Sequence, residues 1–205
     1  MTDLLQHSLR ESIGNTDNRP GRLSVPADTQ ALAADQLRIG GFIPTTTIVF
    51  PNHLAAVIFT QGCPWRCPYC HNSHLASWQH NKEFSWKEIY ALLERRKNLL
   101  DGVVFSGGEP TAQKALSNAM AAVSELGMKI ALHSGGPFPD KFTKALEQTH
   151  WVGFDIKGMP DQYPDITQDN QSGVNAWKSL RTLLDSGVPY EIRTTIHWNL
   201  FTVEK

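Results

Sequence analysis

Residues 57–70 read Val-Ile-Phe-Thr-Gln-Gly-Cys-Pro-Trp-Arg-Cys-Pro-Tyr-Cys, an apolar strand leading into a loop that holds all three cysteines of the chain, Cys63, Cys67 and Cys70. Thiolate is a soft ligand that selects iron–sulfur clusters, zinc or copper(I). A cluster of four irons needs four ligands, so three cysteines leave one iron open. A structural zinc site is the alternative, since His74 can complete a set of three thiolates and one imidazole. The cysteine spacing alone leaves both sites open.

Short apolar segments alternate with helical patterns from Leu37 onward, which is typical of parallel strands joined by crossover helices. Each segment is short and largely apolar, as expected where both faces of a sheet are covered. The predicted strands are residues 55–61, 102–106, 128–133, 151–156 and 190–196.

The intervening helices have recognisable ends. Ser85 and Glu88 predict a capping box at a helix start, and Gly127 and Gly187 stand where helices should stop. The helix before Gly187 is predicted to bury one stripe, formed by Val174, Trp177, Leu180 and Leu184.

Functional residue types cluster where the predicted strands end. Barrels and open sheets of this kind place their chemistry at the carboxyl ends of strands, because several loops meet there. We therefore expect the carboxyl ends of the predicted strands to surround a single site. The residues at these ends are Cys63 after the first strand, Gly107 to Glu109 after the second, Ser134 after the third, Asp155 and Lys157 at the fourth, and Arg193 to His197 late in the fifth.

Two further motifs accompany the cysteine loop: Val-Val-Phe-Ser-Gly-Gly-Glu-Pro at 103–110 and Asp-Ile-Lys at 155–157. Together the three resemble the radical S-adenosylmethionine (SAM) superfamily. Within it, Cys-Pro-Tyr-Cys-His-Asn at 67–72 is similar to the glycyl-radical activating enzymes, in particular those that activate anaerobic ribonucleoside-triphosphate reductase.

That resemblance implies an α/β fold, a partial (β/α)6-type barrel of parallel strands that here lacks its last unit. It covers residues 37–205, which we predict to be a radical SAM domain that is short at its C-terminus. Residues 1–36 are rich in polar residues and proline and are predicted to be a flexible extension.

The resemblance also implies the cofactors. Cys63, Cys67 and Cys70 would bind three irons of a 4Fe–4S cluster, and the amino and carboxylate groups of SAM would bind the fourth. Reductive cleavage of SAM would yield a 5′-deoxyadenosyl radical, so no side chain is expected to be a catalytic residue. The implied SAM contacts are Tyr69, Gly107, Gly108, Glu109, Ser134, Asp155, Lys157, Arg193 and His197.

Several of these contacts have a structural alternative. Glu109 would accept a hydrogen bond from the SAM ammonium, or only favour a helix start. Tyr69 would pack beside the adenine, or only beneath the loop. Arg193 would hold the methionine carboxylate, or pair with Glu191 or Asp155.

Two histidines are less clearly assigned. His197 would reach the ribose or cap the strand. His133 stands in His133-Ser134-Gly135-Gly136, where similar activating enzymes carry Asp-Thr-Asn-Gly. Ser134 keeps a hydroxyl for the ribose, but His133 cannot replace a carboxylate in a monovalent-cation site. We expect it to supply a titratable positive charge instead.

The implied activity is that of an oxidoreductase that installs a glycyl radical on a partner enzyme under anaerobic conditions. The expected partner is an anaerobic ribonucleotide reductase, and the expected electron donor is of flavodoxin or ferredoxin type. One alternative is a radical SAM enzyme acting on a small molecule, like the 7-carboxy-7-deazaguanine synthases. The others are a zinc-stabilised binding module and a cluster-bearing but inactive remnant.

Composition limits the partners and the location. The net charge of −1 argues against binding nucleic acid through its phosphates, so no such partner is expected. No stretch is long and apolar enough to span a membrane, and the N-terminus lacks the pattern of a signal peptide. We therefore expect a cytoplasmic protein without a membrane partner.

Overall fold

Six strands form one sheet in the part of the chain that the computed structural model describes, residues 34–79 and 84–198. The strands are β1 (Ile39–Thr46), β2 (Ala55–Thr60), β3 (Gly102–Gly107), β4 (Lys129–Ser134), β5 (Trp151–Asp155) and β6 (Tyr190–Arg193). The α-helices in the same residues are α1 (Trp86–Arg95), α2 (Leu116–Glu125), α3 (Pro139–Leu146), α4 (Tyr163–Thr167) and α5 (Ser172–Asp185). Short 3-10 turns lie at Ser73–Leu75, Pro110–Ala112 and Pro160–Gln162.

The strands follow one another in the sheet in chain order. Strands β2 to β6 are parallel, and β1 pairs antiparallel with β2. Because β1 and β6 lie at opposite edges, the described sheet is not closed. The predicted α/β fold with a partial barrel of parallel strands is confirmed, and the five predicted strands are β2 to β6.

Strand β1 was not predicted from the sequence. Its residues read Ile-Gly-Gly-Phe-Ile-Pro-Thr-Thr, and two glycines with a proline are features that disfavour a strand interior. The strand forms despite them because it is an edge strand, and it pairs with β2 through two register irregularities.

Alternate residues of the strands supply two separate cores. On one face of the sheet, the strand side chains pack beneath the helices. They include Ile58, Phe105, Ile130, Leu132 and Phe154. The opposite face forms a smaller cluster from Val57, Val104, Ala131 and Trp151, closed by Phe50 of the β1–β2 loop. The sheet is thus apolar on both faces at one end of its strands, which leaves the other end for the site.

Helix α5 buries only part of the predicted stripe. Trp177 and Leu180 pack against the buried clusters, but Val174 and Leu184 are 64% and 51% exposed. The first turn of the helix approaches its neighbour closely: a Cβ on Gly173 would overlap the Pro160 carbonyl oxygen. The small residues Ala176 and Ser179 are buried beside Leu183, a feature that apolar periodicity cannot reveal.

The helix ends agree with the sequence prediction. The Ser85 hydroxyl accepts a hydrogen bond from Glu88 N at 3.3 Å, and Ser85 N donates to Glu88 Oε2 at 3.4 Å. Gly127 and Gly187 adopt φ of +78° and +72° just beyond α2 and α5. The predicted capping box and helix stops are confirmed.

Replacement of Ser85 by alanine is expected to lower the free energy of unfolding by about 1 kcal/mol, because it removes the acceptor for the first turn of α1. Urea unfolding measures this difference. Ser124→Ala, at an exposed site inside α2, is the control and should leave stability unchanged or slightly raised, since alanine favours helix. Equal destabilisation by both changes would contradict the capping assignment.

The predicted extension, residues 1–36, lies outside the described residues except for its last three. Of these, Ala34 is completely buried in the main core. The boundary between extension and domain stays a prediction.

Among the helices of the described segments, none has both the length and the apolar character needed to cross a membrane.

Candidate cofactor site

One cavity of about 570 Å³ lies at the carboxyl ends of the parallel strands. Loops after β2, β3, β4 and β5 and the end of β6 contribute to its wall. The structure brings together there all but one of the residues predicted for the site: Cys63, Cys67, Tyr69, Cys70, Gly107, Gly108, Glu109, Ser134, Asp155, Lys157 and Arg193.

The loop with the cysteines is held by backbone contacts and by Arg66. The Arg66 guanidinium donates to the carbonyl oxygens of Cys63 at 2.7 Å and Trp65 at 2.9 Å. Cys63 N donates to Ala76 O, and Arg66 N donates to Thr167 O. The first half of the loop, from Cys63 to Arg66, is therefore held by the surrounding protein.

Burial affects the protonation of two of the three thiols. Burial, with a smaller effect of the Glu109 charge, raises the pKa of the Cys63 thiol to about 12. Burial also raises the pKa of Cys67. Without a metal these thiols keep their protons, so metal binding must displace them.

The geometry does not favour the zinc alternative. Within residues 34–79 and 84–198, no three His, Cys, Asp or Glu side chains converge closely enough to hold one metal ion. His74 lies in a separate groove beside β1, with Phe42 and Leu75. A four-iron cluster has no need of such convergence, because each cysteine binds a different iron, and its three ligands line one cavity.

Glu109 is 2% exposed, and its carboxylate has four donors. Oε1 accepts from Thr111 N at 3.0 Å, from Thr111 Oγ1 at 2.6 Å and from Ser134 Oγ at 2.8 Å. Oε2 accepts from Gly135 N at 3.2 Å. Burial raises the pKa of Glu109, while these hydrogen bonds act to lower it. Glu109 therefore starts the turn at Pro110 and also lines the cavity, so the structural role is confirmed and the contact with SAM stays a prediction.

The glycines before Glu109 are required by the protein itself. A Cβ on Gly107 would lie 2.5 Å from Thr60 O, and one on Gly108 would lie 2.5 Å from Gly62 O. We predicted these glycines for close approach of methionine to the backbone. The structure shows that they already allow close approach of the β2 end, whatever ligand binds.

Lys157 lies over two aromatic rings of the cysteine loop. Its Nζ is 5.7 Å from the ring centre of Trp65 and 5.8 Å from that of Tyr69. Lys157 N also donates to the Tyr163 hydroxyl at 3.0 Å. Within the described chain, no ion pair joins Lys157 to Asp155, so its ammonium group is directed to the cysteine loop.

His197 is the one predicted contact that the structure leaves outside the cavity wall. Its ring stacks on Tyr69, with 6.0 Å between the ring centres and 27° between the planes. Among the described residues, the buried Tyr69 hydroxyl and His197 Nδ1 have no hydrogen-bond partner. Unpaired buried polar atoms beside a cavity fit a site that a ligand completes.

Arg193 forms the internal pair that we predicted as one alternative. Its Nε donates to Glu191 Oε1 at 2.9 Å, and the guanidinium lies 5.4 Å from the ring centre of Trp151. Arg193 is opposite Asp155 in the β5–β6 pairing, and both line the cavity. The internal pair and a ligand-facing position are therefore compatible.

His133 does not supply the positive charge that we expected from the sequence. Burial, and to a smaller extent the nearby Arg193 charge, lowers the pKa of His133 to about 4. Its Nε2 lies 3.0 Å from Val49 O, which only accepts, so Nε2 carries a proton. This contact favours the charged ring, but burial outweighs it and the ring is neutral at pH 7. The prediction was wrong because the sequence does not show how deeply this side chain is buried.

When the pH falls from 7 to 5, protonation of His133 in the unfolded chain should lower the free energy of unfolding by about 2 kcal/mol. Its folded-state pKa of about 4 lies below the ordinary value of 6.5, so the unfolded chain binds the extra proton first as pH falls. Urea unfolding of the protein and of His133→Gln at both pH values isolates this effect. The variant should lose correspondingly less stability, and parallel losses would contradict the assignment.

Some cavity residues were not predicted. Trp65 is 4% exposed and packs against Gly135, and Ser106 also lines the cavity. Neither the variable positions of the cysteine loop nor isolated hydroxyl residues carry a sequence signal. Thr111 could have been found, because a residue two places after a turn-starting carboxylate commonly donates to it.

The fold is an α/β partial barrel with a cysteine loop and a carboxylate at the ends of its strands. These are the features of an enzyme that holds a metal cluster at the carboxyl ends of its strands. The sequence pattern of the Radical SAM superfamily matches residues 57–203. The chain therefore belongs to the radical SAM superfamily. The cofactors of this family, a 4Fe–4S cluster and SAM, are those predicted from the sequence.

Two of the relatives have names that describe activating enzymes. A protein of Methanocaldococcus jannaschii with the provisional name glycyl-radical enzyme activating enzyme is 28% identical over 164 residues, 77% of this chain and 67% of the relative. The pyruvate formate-lyase-activating enzyme of Clostridium pasteurianum is 32% identical over 149 residues, 70% of this chain and 62% of that enzyme. The chain thus spans about two thirds of the length of these relatives.

The solved structure of SuiB from Streptococcus suis superposes with a TM-score of 0.52 at 16% identity, over 68% of this chain and 33% of that one. Such a likeness supports the fold alone.

Proposed function

We propose that this protein is a radical SAM activating enzyme that generates a glycyl radical on a partner enzyme. The observation that supports this most is one cavity lined by Cys63, Cys67 and Cys70 together with the buried Glu109 carboxylate. The names of the two relatives support the glycyl-radical activity.

The protein's own contribution is to bind, orient and shield. When bound, the cluster and SAM would supply a 5′-deoxyadenosyl radical, formed with one electron from an external donor, for removal of a hydrogen atom from a backbone glycine of the partner. Glu109 is suited to the SAM ammonium and Arg193 to its carboxylate, since each places a charge of the required sign at the cavity. Lys157, Asp155, Tyr69 and the two glycines are proposed as further contacts.

The polar groups of the cavity have apolar neighbours. Val57 and Phe59 of β2 line it beside the cysteine loop, and Trp65 closes it against Gly135. Such walls limit the access of other molecules to the reacting atoms, which matters because a primary carbon radical attacks whichever C–H bond is nearest.

As the finer proposal, the partner is an anaerobic ribonucleotide reductase and the electron donor is of flavodoxin or ferredoxin type. This choice is supported by the resemblance of residues 67–72, and a cytoplasmic location goes with it.

The test is anaerobic reconstitution with iron and sulfide, reduction with dithionite, and incubation with SAM and a candidate partner. Formation of 5′-deoxyadenosine with a glycyl-radical signal in electron paramagnetic resonance is expected. A partner with its acceptor glycine replaced by alanine is the control and should give no such signal. A radical on pyruvate formate-lyase but not on the reductase would overturn the finer proposal only. Turnover of a pterin without a protein radical would favour the small-molecule alternative.

A further inference from the structure

Glu109 connects three loops of the cavity. Its own backbone N donates to Gly62 O at the start of the cysteine loop, at 2.9 Å. Its side chain receives donors from Thr111 on one side and from Ser134 and Gly135 on the other. The loops after β2, β3 and β4 therefore meet at one buried residue, the first through its backbone and the other two through its carboxylate.

The four donors are distributed unevenly between the two carboxylate oxygens. Oε1 receives three of them, of which the two hydroxyl contacts are the shortest, at 2.6 and 2.8 Å. Oε2 receives only Gly135 N, at 3.2 Å. Since a carboxylate oxygen accepts about two strong hydrogen bonds, Oε1 is saturated and Oε2 retains capacity.

We propose that Thr111 and Ser134 are positioning residues whose hydroxyl groups fix the Glu109 carboxylate so that Oε2 is left for the ammonium group of SAM. This inference rests on the proposed function. Without the hydroxyl donors the carboxylate can rotate within its site, and burial then favours a different orientation or the protonated form. Their effect on the ligand therefore passes through Glu109.

The Ser134 hydroxyl both donates and accepts a hydrogen bond. It donates to Glu109 Oε1 and accepts from Gly136 N at 2.9 Å. Its proton is not available to the ribose, which is the contact that the resemblance implied. The structure instead gives Ser134 the same task as Thr111, from the opposite side of the carboxylate.

The test compares variants that keep or remove one hydroxyl. Thr111→Val preserves the shape of the side chain without the donor, whereas Thr111→Ser preserves the donor. We expect Thr111→Val and Ser134→Ala each to raise the Kd of the reconstituted protein for SAM about tenfold, as for a lost hydrogen bond to a charged group. Thr111→Ser should bind within about threefold of the unchanged protein. The iron content should stay constant.

Thr149→Val is the matched control. It also removes a buried threonine hydroxyl, which donates to Ala145 O at 2.9 Å in the turn after α3, outside the cavity. It should leave the Kd for SAM unchanged. Urea unfolding of each protein without SAM identifies any variant that is not folded, and the remaining hydroxyl variant then carries the test.

Two results would overturn the inference: unchanged SAM affinity in Thr111→Val and Ser134→Ala, or equal weakening in Thr111→Ser and Thr111→Val. The second would mean that the methyl group of Thr111 matters rather than its hydroxyl. Failure of the unchanged protein to bind SAM would overturn both this inference and the proposed function. Binding that depends on the hydroxyls, without any radical on a partner, would overturn the proposed function alone.

Discussion

Replacement of Cys67 by alanine is expected to abolish cluster binding and to reduce formation of 5′-deoxyadenosine to the level of a protein-free control. Cys63, Cys67 and Cys70 are the only cysteines of the chain, so no other thiolate can take the vacated position. Two ligands on a loop held by Arg66 cannot retain a four-iron cluster with one iron open to SAM. Iron and sulfide per chain after anaerobic reconstitution, with the product assay, measure both effects.

The matched variants are Cys67→Ser and His74→Ala. Serine nearly preserves the size of Cys67 but replaces a soft ligand with a hard one, so it should fail like alanine and exclude a packing effect. His74 lies in the groove beside β1, so its replacement should leave iron content and cleavage unchanged. Loss of a bound zinc ion in both Cys67→Ala and His74→Ala would contradict the radical SAM assignment and favour the zinc module.

Some parts of the site could be predicted from the sequence because their signals are local. A cysteine loop, a Gly-Gly-Glu turn and an Asp-Ile-Lys segment each follow a short apolar strand, and parallel strands bring such ends together. The cavity accordingly contains Cys63, Glu109 and Lys157, which lie far apart in the chain.

Other features depend on contacts between distant segments. The neutral state of His133 follows from its burial and from the Arg193 charge, 60 residues along the chain, which together outweigh the opposing hydrogen bond to Val49 O. The close approach of the first turn of α5 to its neighbour places Gly173 against Pro160. The donors to Glu109 belong to two different loops. No periodicity or spacing in the sequence reports such contacts.

Replacement of Gly107 by alanine is expected to lower the free energy of unfolding by about 4 kcal/mol or more, in the upper range for single substitutions. Two costs combine at this position. Its φ of +109° is unfavourable for any residue with a Cβ. In addition, the new Cβ would lie 2.5 Å from Thr60 O and closer still to Thr60 N, and both are backbone atoms of β2 that cannot rotate away.

Gly127→Ala separates these two costs. Gly127 also has a positive φ, +78°, but a Cβ there would meet nothing within 4 Å. It should therefore lose only the conformational part, about 1 to 2 kcal/mol. Urea unfolding of both variants gives the contribution of the Gly107 contact as their difference. If the two variants lose equal stability, close approach of β2 and β3 does not explain Gly107. If Gly107→Ala is much less stable than Gly127→Ala and also loses SAM binding, the close contact between β2 and β3 also sets the position of Glu109, which follows Gly107 by two residues.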